Sequence, residues 1–151
     1  MKAEVEILVT QICEAEELQK AFEIRREVFV EEQGVPLEAE FDRFDDLANP
    51  KAAHVLVYYQ GEPGAAGRLR LLEDWAKPER ICVRAPLRQY GLGSVLVRSL
   101  ENLAMEYGFK QTRIHAQVQA RSFYEKLGYK QVSEVFMEDG IPHIVMERKL
   151  K

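Results

Sequence analysis

Arg88-Gln89-Tyr90-Gly91-Leu92-Gly93-Ser94 follows an apolar alternation at Ile81-Cys82-Val83 and opens a run of helical spacing that reaches Tyr107. The alternation predicts a strand and the run predicts an amphipathic helix. Two glycines at a strand-to-helix junction let the backbone turn sharply and bring its N–H groups close to a ligand. The helix start adds a partial positive charge, and Arg88 adds a full one. Residues 88–94 therefore read as a seat for a diphosphate. A phosphate loop of the lysine-bearing type needs Lys and Ser/Thr after its last glycine, whereas Ser94 and Val95 follow Gly93. A dinucleotide fingerprint needs a third glycine where Leu96 stands and prefers the first strand of a domain. Both readings fail.

Downstream, Leu92, Leu96, Leu100, Leu103 and Tyr107 form one stripe, and Gly108 supplies a stop. Residues 112–117 form a short strand, and strand, helix and strand together predict a parallel βαβ unit. A short helix at 120–127 ends at Gly128. Strands at 129–137 and 141–148 are joined by the turn Glu138-Asp139-Gly140.

Upstream, residues 4–10 alternate as a strand, and 14–30 have helical spacing with no N-cap residue marking the start. Residues 31–46 hold seven acids against one base, Arg43. They read either as a solvated acidic loop or as a wall that attracts a cationic substrate. Residues 53–59 and 66–72 form a hairpin across a turn at 60–64, with Arg68 and Arg70 on its polar face. His54 is a polar strand residue without an assigned role, and 73–79 read as a connection. The order β-α-β-β-β-α-β-α-β-β predicts a mixed sheet with helices on its faces.

The chain has 151 residues, 46% hydrophobic and 30% charged, a size and balance that fit one domain spanning 1–151. A net charge of −4 argues against general nucleic-acid binding. No apolar run is long enough to span a bilayer. Residues 1–4 lack the apolar core of a signal peptide, and Cys13 and Cys82 make neither a disulfide framework nor a zinc site. The expectation is a cytoplasmic protein with reduced thiols, no metal, and no nucleic-acid or membrane partner. A homodimer through the last two strands is compatible with the pattern.

In context, Arg88, Gly91 and Gly93 resemble the acetyl-CoA motif of the GCN5-related N-acetyltransferase (GNAT) family. Ala120-Arg121-Ser122-Phe123-Tyr124-Glu125-Lys126-Leu127-Gly128-Tyr129 is similar to that family's second recurrent segment. Arg26 to Gln33, the acids after it, and Asp139-Gly140-Ile141-Pro142-His143 resemble the ElaA/YjcF-like branch. The resemblance implies a mostly antiparallel mixed sheet with a central parallel pair that splays apart, and helices on both faces. It implies transfer of an acetyl group from acetyl-CoA to a primary amine by direct attack in a ternary complex. Arg88, Gln89, Tyr90, Gly91, Leu92, Gly93 and Ser94 would hold the diphosphate. Backbone near Ile81, Cys82 and Val83 would hold the pantetheine arm, with His115 and Gln117 at the splayed end.

Such chemistry needs an acid for the leaving thiolate. Tyr124 is the candidate, because a phenol is protonated at neutral pH; spacing alone also allows it to be a helix aromatic packed beside Phe123. Tyr129 reads as a core aromatic. For a base, the candidates are Glu32, an acid of 38–46, and His143, whose imidazole has a suitable ordinary pKa; proton loss through water is the alternative. Carboxylates at 31–46 would favour a small-molecule or peptidyl amine. A non-catalytic acyl-CoA-binding module, or a plain interaction domain, are the competing readings.

Overall fold

The computed structural model describes residues 5–151, so the part of the expected first strand that falls on residue 4 lies outside the described residues. The order is β1 (Ile7–Gln11), α1 (Ala15–Arg25), a π-helical turn (Arg26–Glu32), α2 (Leu37–Glu40), β2 (Ala52–Tyr59), β3 (Glu62–Leu71) and β4 (Ala76–Val83). A 3₁₀ turn (Ala85–Tyr90) leads to α3 (Leu92–Glu106) and β5 (Gln111–Gln117). Then come a second 3₁₀ turn (Val118–Ala120), α4 (Arg121–Lys126), β6 (Lys130–Gln131), β7 (Phe136–Glu138) and β8 (Ile141–Lys149). The sheet runs β1-β2-β3-β4-β5-β8-β6, with β7 also on β8. Every described pairing is antiparallel except β4 with β5. That parallel pairing consists of one partner pair, Ala76 with Thr112. Past it the two strands diverge, as the resemblance implied.

Alternate residues of the central strands point to opposite faces, and each face is covered. Val55, Val57, Ala65 and Leu69 pack with Leu92, Leu96, Leu100 and Leu103 of α3. Leu56, Ala66 and Cys82 pack on the other face with Leu18, Ala21, Ile24 of α1 and Val28. A third cluster joins Val97 of α3 to Ile114, Tyr124, Tyr129, Ile144 and Met146. The α3 stripe ends at Leu103; Tyr107 is exposed.

Several expectations are corrected. The first helical run extends to Glu32 and loosens to π geometry at Arg26, where Gln33 N–H bonds back to the Val28 carbonyl at 3.1 Å. The β2–β3 turn is only Gln60-Gly61, both with left-handed φ, and Pro63 lies within β3. β4 begins at Ala76, so much of 73–79 is strand rather than connection. Pro78 is tolerated within it because β4 has no β5 partner beyond Ala76. The strand expected at 129–137 is two short pieces on the same partner, β8. Because β8 lies between β5 and those pieces, the free edge at this end of the sheet belongs to β6 and β7.

The polar face of β3 is not solvated. Arg68 is 1% exposed, beneath the acidic stretch. Its guanidinium donates to Asp42 at 2.7 Å, Asp45 at 2.9 Å and Glu79 at 3.0 Å. Arg25, equally buried, donates to Glu40 at 3.0 Å and to Asp45. His54, 3% exposed, holds the same loop through Nε2, 3.0 Å from the Phe44 carbonyl. Three of the seven acids thus bind inward to arginines, and the stretch is not an open acidic wall.

Candidate active site

The chain enters α3 through Gly91, whose φ is 75°, a left-handed conformation that other residues adopt only with strain. The first N–H groups of α3 have no intrahelical acceptor. They open on a groove of about 310 Å³ whose lining includes Val83, Arg88, Gly91, Gly93, Ser94 and Phe123. A Cβ at Gly93 would stand 3.2 Å from the Phe123 ring, a tight approach that the glycine avoids. The two segments that suggested a family therefore touch at this point.

Arg88 Nε donates to the Val83 carbonyl at 2.9 Å, and its two terminal nitrogens each donate to the Glu32 carboxylate at 2.7 Å. The guanidinium is thus posed to grip an anion with two parallel bonds. The hydrogen bonds from Arg88 hold the Glu32 carboxyl below the usual carboxylate range. Glu32 sits on the groove's arginine and does not line the cavity described next.

Ile81 and Cys82 also line the groove, on the edge of β4 that β5 has left. The Cys82 thiol itself is turned into the core, 3.6 Å from the Ala66 carbonyl, and burial pushes its pKa up to about 12. Three of the expected donor-site side chains point elsewhere. Tyr90 stacks on Tyr59 at 4.5 Å, Gln89 donates to the Tyr90 hydroxyl at 3.2 Å, and Leu92 is fully buried.

Where the strands diverge the groove meets a larger cavity of about 480 Å³; Ile81 and Gln33 line both. Gln117 Nε2 donates to Gln33 Oε1 at 2.9 Å across the gap. Tyr124 lines the cavity beside Ile114, Ala116 and Ala120. Its ring packs edge-on against Phe123 at 5.0 Å and Tyr129 at 5.8 Å. Burial raises the pKa of the phenol, so it keeps its proton at neutral pH. Tyr124 is therefore both the packed aromatic and the cavity phenol. Tyr129, by contrast, is closed into the core, its hydroxyl 2.8 Å from both Thr112 Oγ1 and Glu101.

The far wall holds His115, Glu138 and His143. His115 Nδ1 lies 2.8 Å from Glu138 Oε1, and His143 Nδ1 lies 2.7 Å from the Ile141 carbonyl. A carbonyl only accepts, so His143 carries its proton on Nδ1 when neutral and leaves Nε2 with a lone pair. The hydrogen bond from His115 keeps the Glu138 carboxyl below its ordinary range. Sequence reading missed Glu138, marking it only as part of a turn. The alternation of His115 with the buried Ile114 and Ala116 was the available signal that this strand presents a polar face. Of the acids in 38–46, Glu40 and Asp42 reach the cavity.

The family model described as acetyltransferase (GNAT) domain matches residues 4–150. A Bacillus subtilis protein named as an acetyltransferase is 46% identical over 141 residues, covering 93% of this chain and 95% of its own. YjcF of the same organism, named as an N-acetyltransferase, is 41% identical over 132 residues, covering 87% of this chain and 91% of its own. ElaA of Escherichia coli is 33% identical over 138 residues, covering 89% of this chain and 88% of its own. The crystal structure of E. coli ElaA superposes with a TM-score of 0.81 at 27% identity, covering 96% of this chain and 99% of that one. The chain thus belongs to the GNAT acetyltransferase family, on its ElaA/YjcF-like side, and is an acyltransferase that takes its acyl group from an acyl-CoA.

Proposed function

We infer that the protein is an N-acetyltransferase: it moves an acetyl group from acetyl-CoA to a primary amine by direct attack, with Tyr124 as the general acid. One observation carries this reading. The anion-binding groove and the larger cavity share Ile81 and Gln33, and a phenol that holds its proton lines the cavity near that junction. The α3 N-terminus, Arg88 and the space left by Gly93 suit a diphosphate. The unpaired edge at 81–83 suits the amide groups of a pantetheine arm.

The amine nitrogen attacks the thioester carbonyl carbon, and the carbon–sulfur bond breaks. Tyr124 gives its phenolic proton to the departing sulfur. His143 Nε2 accepts the proton the nitrogen must lose, and solvent returns a proton to Tyr124. Positioned acid–base groups of this kind are worth about 10²–10⁴ in rate. Tyr124→Phe should therefore lower kcat about 100-fold or more while leaving acetyl-CoA affinity within roughly threefold. Thiol release and the acetyl-CoA-induced rise in Tm measure the two quantities. Unchanged turnover in the variant would remove Tyr124 from the mechanism. A Tm rise with no thiol release from any amine would favour the non-catalytic acyl-CoA-binding module.

A further inference from the structure

One wall of the cavity has no part in the chemistry above. Arg70 pairs in register with Lys77, and Arg68 with Glu79, so these four side chains share the α1 face of β3 and β4. Arg80 joins them only through a bulge. The register slips between Ala66 and Arg68, leaving Arg80 and Ile81 opposite one residue of β3. The φ of Arg80 is 53°, strained for a non-glycine residue. In a regular strand Arg80 would face the other side. Here it points at Glu40 and Asp42.

Arg68 is fully engaged, but Arg70 and Arg80 are not. Arg70 Nε stands 3.2 Å from Glu79 Oε1, a carboxylate that Arg68 and Lys77 already share. Arg80 comes only within 3.8 Å of Glu40 and 3.9 Å of Asp42. Among the described residues, three buried side-chain atoms lack any hydrogen-bond partner: Arg70 Nε, Arg80 Nε and Glu40 Oε1. All three residues line this one cavity. The cavity lining holds four lysine and arginine side chains (Arg68, Arg70, Lys77, Arg80) and five carboxylates (Glu40, Asp42, Glu79, Glu138, Asp139). The two Nε atoms are themselves closed off, but the Arg70 and Arg80 side chains are 28% and 22% exposed, so their guanidinium ends can reach a ligand, and arginine matches a carboxylate better than any other common anion-binding side chain. Elsewhere in the lining, Glu138 and His143, whose Nε2 lies 3.7 Å from Glu138 Oε2, suit an ammonium.

We propose that the acceptor is a free α-amino acid, its carboxylate bound by Arg70 and Arg80 and its amine turned toward Glu138 and His143. This rests on the N-acetyltransferase reading above and narrows it.

The test is thiol release at saturating acetyl-CoA with the twenty common L-amino acids, their carboxamides and their decarboxylated amines. A carboxamide keeps the shape and removes the charge. The expected result is at least one amino acid turned over with kcat/KM roughly tenfold or more above that of its carboxamide, as befits a charged hydrogen-bonded contact. In Arg80→Gln, and separately in Arg70→Gln, that ratio should collapse toward one, with a large rise in KM for the acid and a much smaller one for the carboxamide, which loses only a neutral hydrogen bond. A variant that merely folds poorly would lower both substrates together and leave the ratio intact. Carboxamides or simple amines turned over as well as the acids across the panel would overturn the proposal and leave the N-acetyltransferase reading standing. If no compound on this panel releases thiol, the proposal is overturned, and the N-acetyltransferase reading is left to a wider screen of amines and peptides by thiol release.

Discussion

At the scale of single residues, the contact between Gly93 and Phe123 carries the most information. Each belongs to a segment recognisable by local spacing, and that is why residues 88–94 and 120–129 were legible in sequence. Their contact was not, because spacing along a chain says nothing about which side chains close a gap in space. The 3.2 Å approach makes Gly93→Ala an overpacking change. It should cost about 1–3 kcal/mol of stability and weaken donor binding, and Phe123→Leu should restore much of the stability by giving the new methyl room. A double-mutant cycle from denaturant melts measures the coupling, and additive losses would show that the ring is not the obstacle. The same limit hid the cluster of His115, Glu138 and His143. Its members stand on different strands, and only the β5–β8 register brings Gln117 beside His143 and His115 beside Val145.

At the scale of elements, the acidic stretch is the clearest lesson. Its composition is that of a solvated loop, and charge counting cannot distinguish that from a loop drawn inward by arginines on a strand and a helix. Arg25 falls on the helix and Arg68 on β3, both at positions that alternate as polar, and both are buried because the loop closes over them. Asp45 is the residue common to the two. Asp45→Asn should cost about 3 kcal/mol or more, the usual result of leaving a buried cation short of its partner. Chemical denaturation reads this, and a loss under 1 kcal/mol would mean that the loop contributes little to the fold. The π turn at Arg26–Glu32 and the bulge at Arg80 escaped sequence reading for a related reason. Each adds a residue within an element whose periodicity looks nearly regular on either side. Each also places a charged side chain at the site: Glu32 on Arg88, and Arg80 in the cavity.

At the scale of the whole molecule, strand and helix order, apart from α2 and the division of 129–137 into β6 and β7, followed from apolar periodicity, because burial on each side of a sheet dictates it. The pH response follows from groups the periodicity did not mark. Burial lowers the pKa of His54 below 6.5. The folded protein therefore binds fewer protons than the unfolded chain once pH drops below that value, and stability declines there. Asp42, Asp45 and Glu138 are also depressed: burial opposes ionisation of the two aspartates, but the arginines outweigh it, and His115 stabilises charged Glu138. Their contribution is full above the ordinary values of 3.8 and 4.5 and disappears as pH falls through the lowered folded values. Glu40, raised by burial, works in the opposite sense, giving up stability as pH rises above 4.5. Tm should accordingly fall in two stages on acidification, and His54→Gln should abolish the first, which begins as pH drops below about 6.5. Identical Tm–pH curves for the two proteins would refute this.

The junction between β4 and β5 has one more consequence. With a single partner pair at Ala76 and Thr112, the sheet is mechanically two leaves, β1–β4 and β5–β8, joined at one end. Helix packing, not a ladder, sets the angle between them. A donor lying between the leaves would supply, along the open edge of β4, hydrogen bonds that no strand among the described residues provides there.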